Sequence, residues 1–211
     1  MNPSAITTLR DMVPLRPLSY SEALRLAELQ AQKFLALSSI TEPAVPERVI
    51  TELPRLHVAR LSPFPTSGAS HWSQGQWLVA LNGSEPATRQ RFSLAHEFKH
   101  IVDHRFVGLT YSDFPENERH EMVERLCDYF AGCLLMPRPW VKRLYCSGLQ
   151  YLPDLAETFG VSQAAMTVRL NQIGLVPATP RCLPISKDWT IRAIRDLSDR
   201  PTYQRVASYA T

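Results

Sequence analysis

The amino-acid sequence predicts an α+β fold in which a small sheet is laid against helices. Two short stretches read as strands, Leu56–Leu61 by alternation of apolar and polar residues and Gln76–Leu81 by its apolar content. Around them, longer stretches repeat apolar residues at helical spacing. The resulting order is helix, helix, strand, strand, helix, helix and a helical pair, which is an α+β arrangement.

Each element has a local reason. Residues 19–38 form an amphipathic helix: Tyr20, Ala23, Leu24, Ala27, Ala31, Phe34 and Leu35 share a face, and Ser19 or Ser21 can cap it. Two prolines between Thr41 and Pro46 end it, and a short helix over Glu47–Leu53 follows, closed by Pro54. After the first strand, Ser62 to Gly75 is rich in Pro, Ser and Gly and reads as a loop. Asn82-Gly83 ends the second strand with a turn signal. Helices are expected over Thr88–His104 and Glu118–Leu135, the latter stopped by Met136-Pro137. Leu152 to Ile173 reads as two short helices joined at Phe159-Gly160-Val161, and a last helix is expected at Asp188–Leu197.

A chain of 211 residues can hold one core, or one core with a small appendage, and 45% hydrophobic and 20% charged residues are ordinary for a globular protein. Apolar runs such as Trp77–Leu81 and Gly132–Met136 are too short to span a bilayer. The first residues lack the pattern of a secretory signal, so a cytoplasmic location is the default expectation. Cys127, Cys133, Cys146 and Cys182 form no C-x-x-C pair, which removes support for a thiolate zinc site, and Cys127 and Cys133 read as buried free thiols. The net charge of +3 is mild, although Arg181, Lys187, Arg192, Arg195, Arg200 and Arg205 gather in the tail. A solvated face explains that tail better than a nucleic-acid contact.

The chemical signal is His96-Glu97-Phe98-Lys99-His100, an H-E-x-x-H. On a helix, residues four apart lie about 40° apart in azimuth and one turn along, so both imidazoles leave the same face. Neutral imidazole is a good zinc ligand, and the adjacent Glu97 is placed to take a proton from an attacking water. With six histidines in the chain, chance would produce this pattern in about one such sequence in a hundred. A third ligand is needed. The extended form, with Gly and His further along the same helix, fails because those positions hold Asp103 and Phe106. Glu124 on the next helix fits, with Asp128 one turn on to accept the free N–H of a ligand histidine. Glu121 could face the same way. His104 is turned about 80° from His96 and suits a supporting or surface role. Glu116, Glu118 and His120 read as solvated charges near the helix start, and His57 and His71 lack any supporting pattern.

Residues 89–104 (RQRFSLAHEFKHIVDH) and 124–137 (ERLCDYFAGCLLMP) together resemble the ImmA/IrrE family of metallopeptidases. The family's second block reads Glu-x-x-Ala-Asn-x-Phe-Ala and then Leu-Leu-Met-Pro, so Cys127 and Asp128 depart from it, Asp128 keeping an acceptor but losing an amide donor. The resemblance covers about residues 19–177. It implies a zincin-like, gluzincin-type core with His96, His100 and Glu124 on zinc and Glu97 as base; manganese or iron would suit the same ligands. It also implies a substrate, a partner helix-turn-helix transcriptional repressor of the XRE type, whose cleavage releases stress-response or mobile-element genes. An oxyanion donor is required, and Tyr111, His120 and Tyr129 are all candidates. The peptide substrate is expected to extend beside the strand Trp77–Asn82.

The domain expectation is a peptidase domain over residues 1–145, a helix-turn-helix-like element over 146–177 packed on it, and a tail of unassigned role over 178–211. Ser162 caps the second helix of the pair, which carries Gln163, Thr167, Arg169 and Asn171. A rival function follows: a non-catalytic, metal-stabilised DNA-binding or antirepressor protein with Arg169 reaching phosphates or bases. One basic residue on that helix is weak support for binding a polyanion, so packing or recognition of the repressor is favoured over direct DNA binding.

Overall fold

The computed structural model describes residues 4–175, and the elements run in chain order. Helices α1 (Ala5–Arg10), α2 (Tyr20–Leu37) and α3 (Arg48–Thr51) precede strands β1 (Leu56–Leu61), β2 (Gly68–Ser73) and β3 (Gln76–Asn82). Then come α4 (Ala87–Asp103), α5 (Val107–Thr110), α6 (Arg119–Leu135), α7 (Arg138–Cys146), α8 (Leu152–Phe159) and α9 (Gln163–Gln172). The fold is α+β, as the sequence predicts. The tail over 178–211, with Cys182 and the helix expected at Asp188–Leu197, lies outside the described residues.

Two expectations about the sheet are corrected. The segment read as a loop contains β2, so the sheet has three strands in the order β1-β3-β2. Strand β3 is central, parallel to β1 and antiparallel to β2, and both its edges are hydrogen-bonded. A peptide therefore cannot pair with Trp77–Asn82; β2 is the edge strand on that side. The β2–β3 hairpin turns on Gln74 and Gly75, both at positive φ (48° and 80°), the geometry of a two-residue primed turn. Gln74 there takes the place usually held by Asn, so the familiar Asn-Gly signal is missing.

Helix α2 opens with a capping box, the Ser19 hydroxyl accepting from the Glu22 backbone N–H and the Glu22 carboxylate accepting from that of Ser19. Its apolar face packs on α6, and α4 packs on α6 and under the sheet. Rings of Phe34 and Phe98 lie 4.7 Å apart, and Phe98 and Phe130 6.2 Å, joining α2, α4 and α6 in one core. Burying side chains of this size contributes about 1.5–3 kcal/mol each.

Behind α4 the core is polar. Lys99 is fully buried, its ammonium donating to Gln30 Oε1 and Asp103 Oδ1, each at 2.7 Å, and lying 5.7 Å from the Phe130 ring centre. The Tyr111 hydroxyl donates to Asp103 Oδ2. Gln30 donates onward to the Leu9 carbonyl at 3.0 Å. Arg10 closes the C-terminal end of α4 by donating to the carbonyls of Ile101 (2.7 Å) and Val102 (3.2 Å), as a cation near exposed helix carbonyls should. This cluster ties α1, α2, α4 and the segment after α5 together.

Removing one partner of such a pair leaves a buried charge uncompensated. Asp103→Ala should destabilise the fold by about 3–5 kcal/mol in urea unfolding, whereas Lys99→Met combined with Asp103→Leu should recover most of that loss. Equal stability of Asp103→Ala and wild type would show that Lys99 is solvated or otherwise paired.

Candidate active site

Helix α4 offers one polar row on an otherwise buried cylinder. Leu94, Ala95, Phe98, Ile101 and Val102 are buried on the sheet and on α6, leaving His96, Glu97 and His100 on the side that faces β2 and the first half of α6. Helix α6 brings Glu124 and Asp128, one turn apart, against that row.

The three expected ligands converge. His96 Nε2 and His100 Nε2 are 3.1 Å apart, His96 Nε2 lies 3.2 Å from Glu124 Oε2, and His100 Nε2 lies 3.3 Å from Glu124 Oε1. A tetrahedral ion with bonds of roughly 2.0–2.1 Å needs ligand atoms about 3.3 Å apart, and each of these separations is close to that length, with the two imidazoles facing different oxygens of the Glu124 carboxylate. His96 Nδ1 is 2.8 Å from Asp128 Oδ1. A carboxylate there accepts the Nδ1 proton, which leaves the Nε2 lone pair free for a cation. Burial alone would lower the His96 pKa, but the hydrogen bond and charge of Asp128, helped by Glu124 and Glu97, outweigh it and raise it. Burial and then the neighbouring His96 push His100 down.

Cys127 is a second way to complete the group, since its Sγ and one nitrogen from each of His96 and His100 lie within 4.8 Å of one another. Its chemistry argues against it. Burial, reinforced by Asp103, pushes the thiol well above its ordinary value, and a metal takes the thiolate. Glu124 is partly solvated, and its carboxylate oxygens stand 3.2 and 3.3 Å from the two imidazole nitrogens. A divalent ion thus fits His96, His100 and Glu124 better than His96, His100 and Cys127.

Glu97 is held by the strand that the sequence conceals. Residues 68 and 70 of β2 pair with Leu81 and Val79 of β3 and share their inward face. From there the Ser70 hydroxyl donates to Glu97 Oε2 at 2.7 Å. Gly68 lies so close that a Cβ on it would stand 3.1 Å from Glu97 Cγ and 3.2 Å from Oε1. Neither residue is singled out by sequence reasoning. The only signal was the pairing parity of β2, which needs the strand to be recognised first.

The remaining expectations fall as follows. Tyr111 is not available as an oxyanion donor: it is buried, its hydroxyl is committed to Asp103, and burial and that carboxylate raise its pKa. Tyr129 turns away toward α9, with its ring 5.7 Å from the Arg169 guanidinium. His120 is exposed one turn before Glu124 on α6 and stays a candidate donor. Glu121 pairs with Arg125 at the surface rather than joining the imidazoles. His104 packs edge-on against Trp77, ring centres 5.0 Å apart. Arg169 is buried and donates to the Met136 carbonyl at 2.9 Å, so it cannot contact DNA as the rival function requires.

A helix with two imidazoles and a carboxylate, a facing glutamate from the next helix and an edge strand alongside make up a metallopeptidase-type domain. The chain belongs to the family described as the IrrE N-terminal-like domain, whose sequence profile matches residues 54–171. The radiation response metalloprotease IrrE of Deinococcus radiodurans is 25% identical over 136 residues, an alignment covering 61% of this chain and 41% of that protein. The chain thus spans less than half the length of that relative. A Mycobacterium tuberculosis transcriptional regulator superposes with a TM-score of 0.61 at 16% identity, covering 85% of this chain and 54% of that one; this likeness concerns the fold alone.

His96→Ala, His100→Ala and Glu124→Ala should each reduce bound metal from about one ion per chain to a small fraction in elemental analysis. Asp128→Ala should weaken affinity by about 10–100-fold, and Cys127→Ala should leave it unchanged. Metal lost from Cys127→Ala but kept in Glu124→Ala would reassign the third ligand.

Proposed function

We propose that the protein is a metal-dependent endopeptidase that cleaves a partner helix-turn-helix transcriptional repressor. The observation that carries the hydrolytic reading is Glu97, a carboxylate beside two convergent imidazoles and anchored through one oxygen to the edge strand. A purely structural metal site has no use for such a group and leaves no open position.

His96, His100 and Glu124 would hold the ion, with zinc as the expected metal and manganese or iron as alternatives. Bound there, a divalent ion supplies Lewis acidity, polarising a peptide carbonyl and acidifying a water toward a pKa of about 7. The chain's own residues do the rest. An extended peptide adds to the outer edge of β2 through main-chain hydrogen bonds, which lays its backbone beside Ser70 and Glu97. Glu97 orients the attacking water, accepts its proton, and returns that proton to the leaving amine. Ser70 keeps the carboxylate aimed while Gly68 leaves it room.

The repressor as substrate rests on the resemblance to the ImmA/IrrE family, and the name of the radiation response relative supports a metalloprotease acting in a stress response. No helix among the described residues is long and apolar enough to cross a membrane, which suits a partner met in the cytoplasm. The buried Arg169 weighs against a DNA-binding role for the helical pair.

The test is to incubate the purified protein, with zinc or manganese, with the helix-turn-helix regulator encoded beside its gene and to follow intact mass. Wild type should cut the regulator. Glu97→Gln should lose about 10²–10⁴-fold in rate while keeping its metal, and Ser70→Ala should lose less. An intact regulator after incubation with metal-loaded wild type, bound equally by Glu97→Gln, would overturn the proposal for that partner.

A further inference from the structure

Strand β2 is an edge strand, and the alternation of its pairing decides which residues serve that edge. The Asn82 N–H donates to the Ser67 carbonyl at 3.1 Å, so these two residues form a hydrogen-bonded pair at the foot of the hairpin. Such pairs recur at every second residue of an antiparallel ladder. Ala69, His71 and Ser73 therefore direct their backbone groups to β3, while Gly68, Ser70 and Trp72 turn theirs to the free edge. The same three residues carry their side chains on the inward face, along α4.

The first two of these are small and face Glu97; the third is a tryptophan. Trp72 follows Ser70 by two residues, about 7 Å along the strand. Its ring lies 5.3 Å from that of Trp77, which stands 5.0 Å from the imidazole of His104, about two helical turns beyond Glu97. Trp77 is 6% exposed and Trp72 43%. Cross-strand packing accounts for the covered side of Trp72. It does not account for so large an open aromatic surface beside a row of free backbone donors and acceptors. Trp72, Trp77 and His104 include no carboxylate to hold a cation, so an apolar or aromatic side chain is the fitting neighbour.

We infer that Trp72 is a specificity-determining residue of the peptidase, selecting a phenylalanine-like side chain of the substrate. This role rests on the peptidase reading and on strand addition to β2. An antiparallel peptide pairs one residue with Trp72 and, two residues further toward its own C-terminus, another with Ser70 beside Glu97. The side chains of both lie on the inward face. The aromatic residue is thus on the N-terminal side of the residue laid over Glu97. Its ring meets the open surface of Trp72 in offset or edge-to-face packing, and its backbone exchanges two hydrogen bonds with that of Trp72.

The test uses the zinc-loaded full chain carrying Glu97→Gln, so that peptides stay intact. Binding of acetyl-Thr-Thr-Phe-Thr-Thr-amide and of its alanine and lysine counterparts is measured by calorimetry. The phenylalanine peptide should bind about tenfold more tightly than the alanine peptide, through burial and aromatic packing together. Adding Trp72→Thr, which keeps a strand former in β2, should abolish the preference, and Trp72→Phe should restore most of it. Because Trp72 also covers Trp77, a second measurement leaves the chain unaltered at that position. Methylating the phenylalanine nitrogen removes its hydrogen bond to the Trp72 carbonyl and should weaken binding about tenfold. Methylating the nitrogen of the next threonine, which faces away from β2, should not. Equal affinity for the phenylalanine and alanine peptides, a preference that survives Trp72→Thr, or equal binding of the two methylated peptides overturns the inference. A lysine peptide that binds as tightly as the phenylalanine peptide overturns the aromatic selection in favour of a cation. A regulator that is cut while the preference is absent removes only the role of Trp72; a preference without cleavage of the regulator removes only the repressor proposal.

Discussion

Helix α4 has to be buried on almost every side and still keep one row of polar atoms in reach of a ligand, and the rest of the fold is arranged around that constraint. Its apolar positions are met by the inner face of the sheet and by α6, with Phe34 of α2 against Phe98. Its one buried cation, Lys99, is met by Asp103 from the next turn and by Gln30 from α2. An ion pair so deep contributes little net stability over an apolar pair of the same shape. Its partners are nonetheless fixed in direction, which apolar contacts are not. The rotation of α4 about its own axis is thereby set, and with it the side from which His96, Glu97 and His100 emerge.

Once that rotation is set, the site assembles from elements that need little else. Helix α6 packs along α4, so one turn of it suffices to carry Glu124 between the two imidazoles and Asp128 behind one of them. The sheet packs on the adjoining side, and the parity of β2 directs Gly68 and Ser70 at Glu97. Small residues at two successive inward positions of an edge strand would be poor choices for sheet stability alone. They are explained by the carboxylate that fills the space a larger side chain would take.

That same compromise decides what was legible in the sequence. The helices bearing the motif, the bounds of β1, the Ser19 cap of α2 and the Ser162 cap of α9 all follow from local rules, and the structure has them within a residue or two. Strand β2 does not: Pro63, Pro65, Gly68, Ser70 and Ser73 carry loop propensities, and the strand exists because β3 and α4 give it a partner and a floor. Helix α7 was missed because Pro137 and Pro139 read as a break, although proline is well suited to the first turn of a helix. Lys99 was invisible for another reason. A lysine between two motif histidines reads as solvent-facing unless its acceptors, one of them far away on α2, are already known.

Arg169 illustrates the same limit and changes what the helical pair is for. In the sequence it is the one basic residue of a helix that looks built to lie in a groove of DNA. In the fold it points the other way, bonded to the carbonyl at the end of α6 and stacked near Tyr129. The outward face of α9 is left with Gln163, Thr167 and Asn171, which carry no charge to attract a polyanion. A helix that turns its only cation inward has given up the long-range attraction on which DNA binding depends, and has placed that cation against the last carbonyl of α6 and the ring of Tyr129. The helical pair therefore belongs mechanically to the peptidase domain: α9 closes a space that α4 and α6 leave open, next to the carboxylate that orients His96.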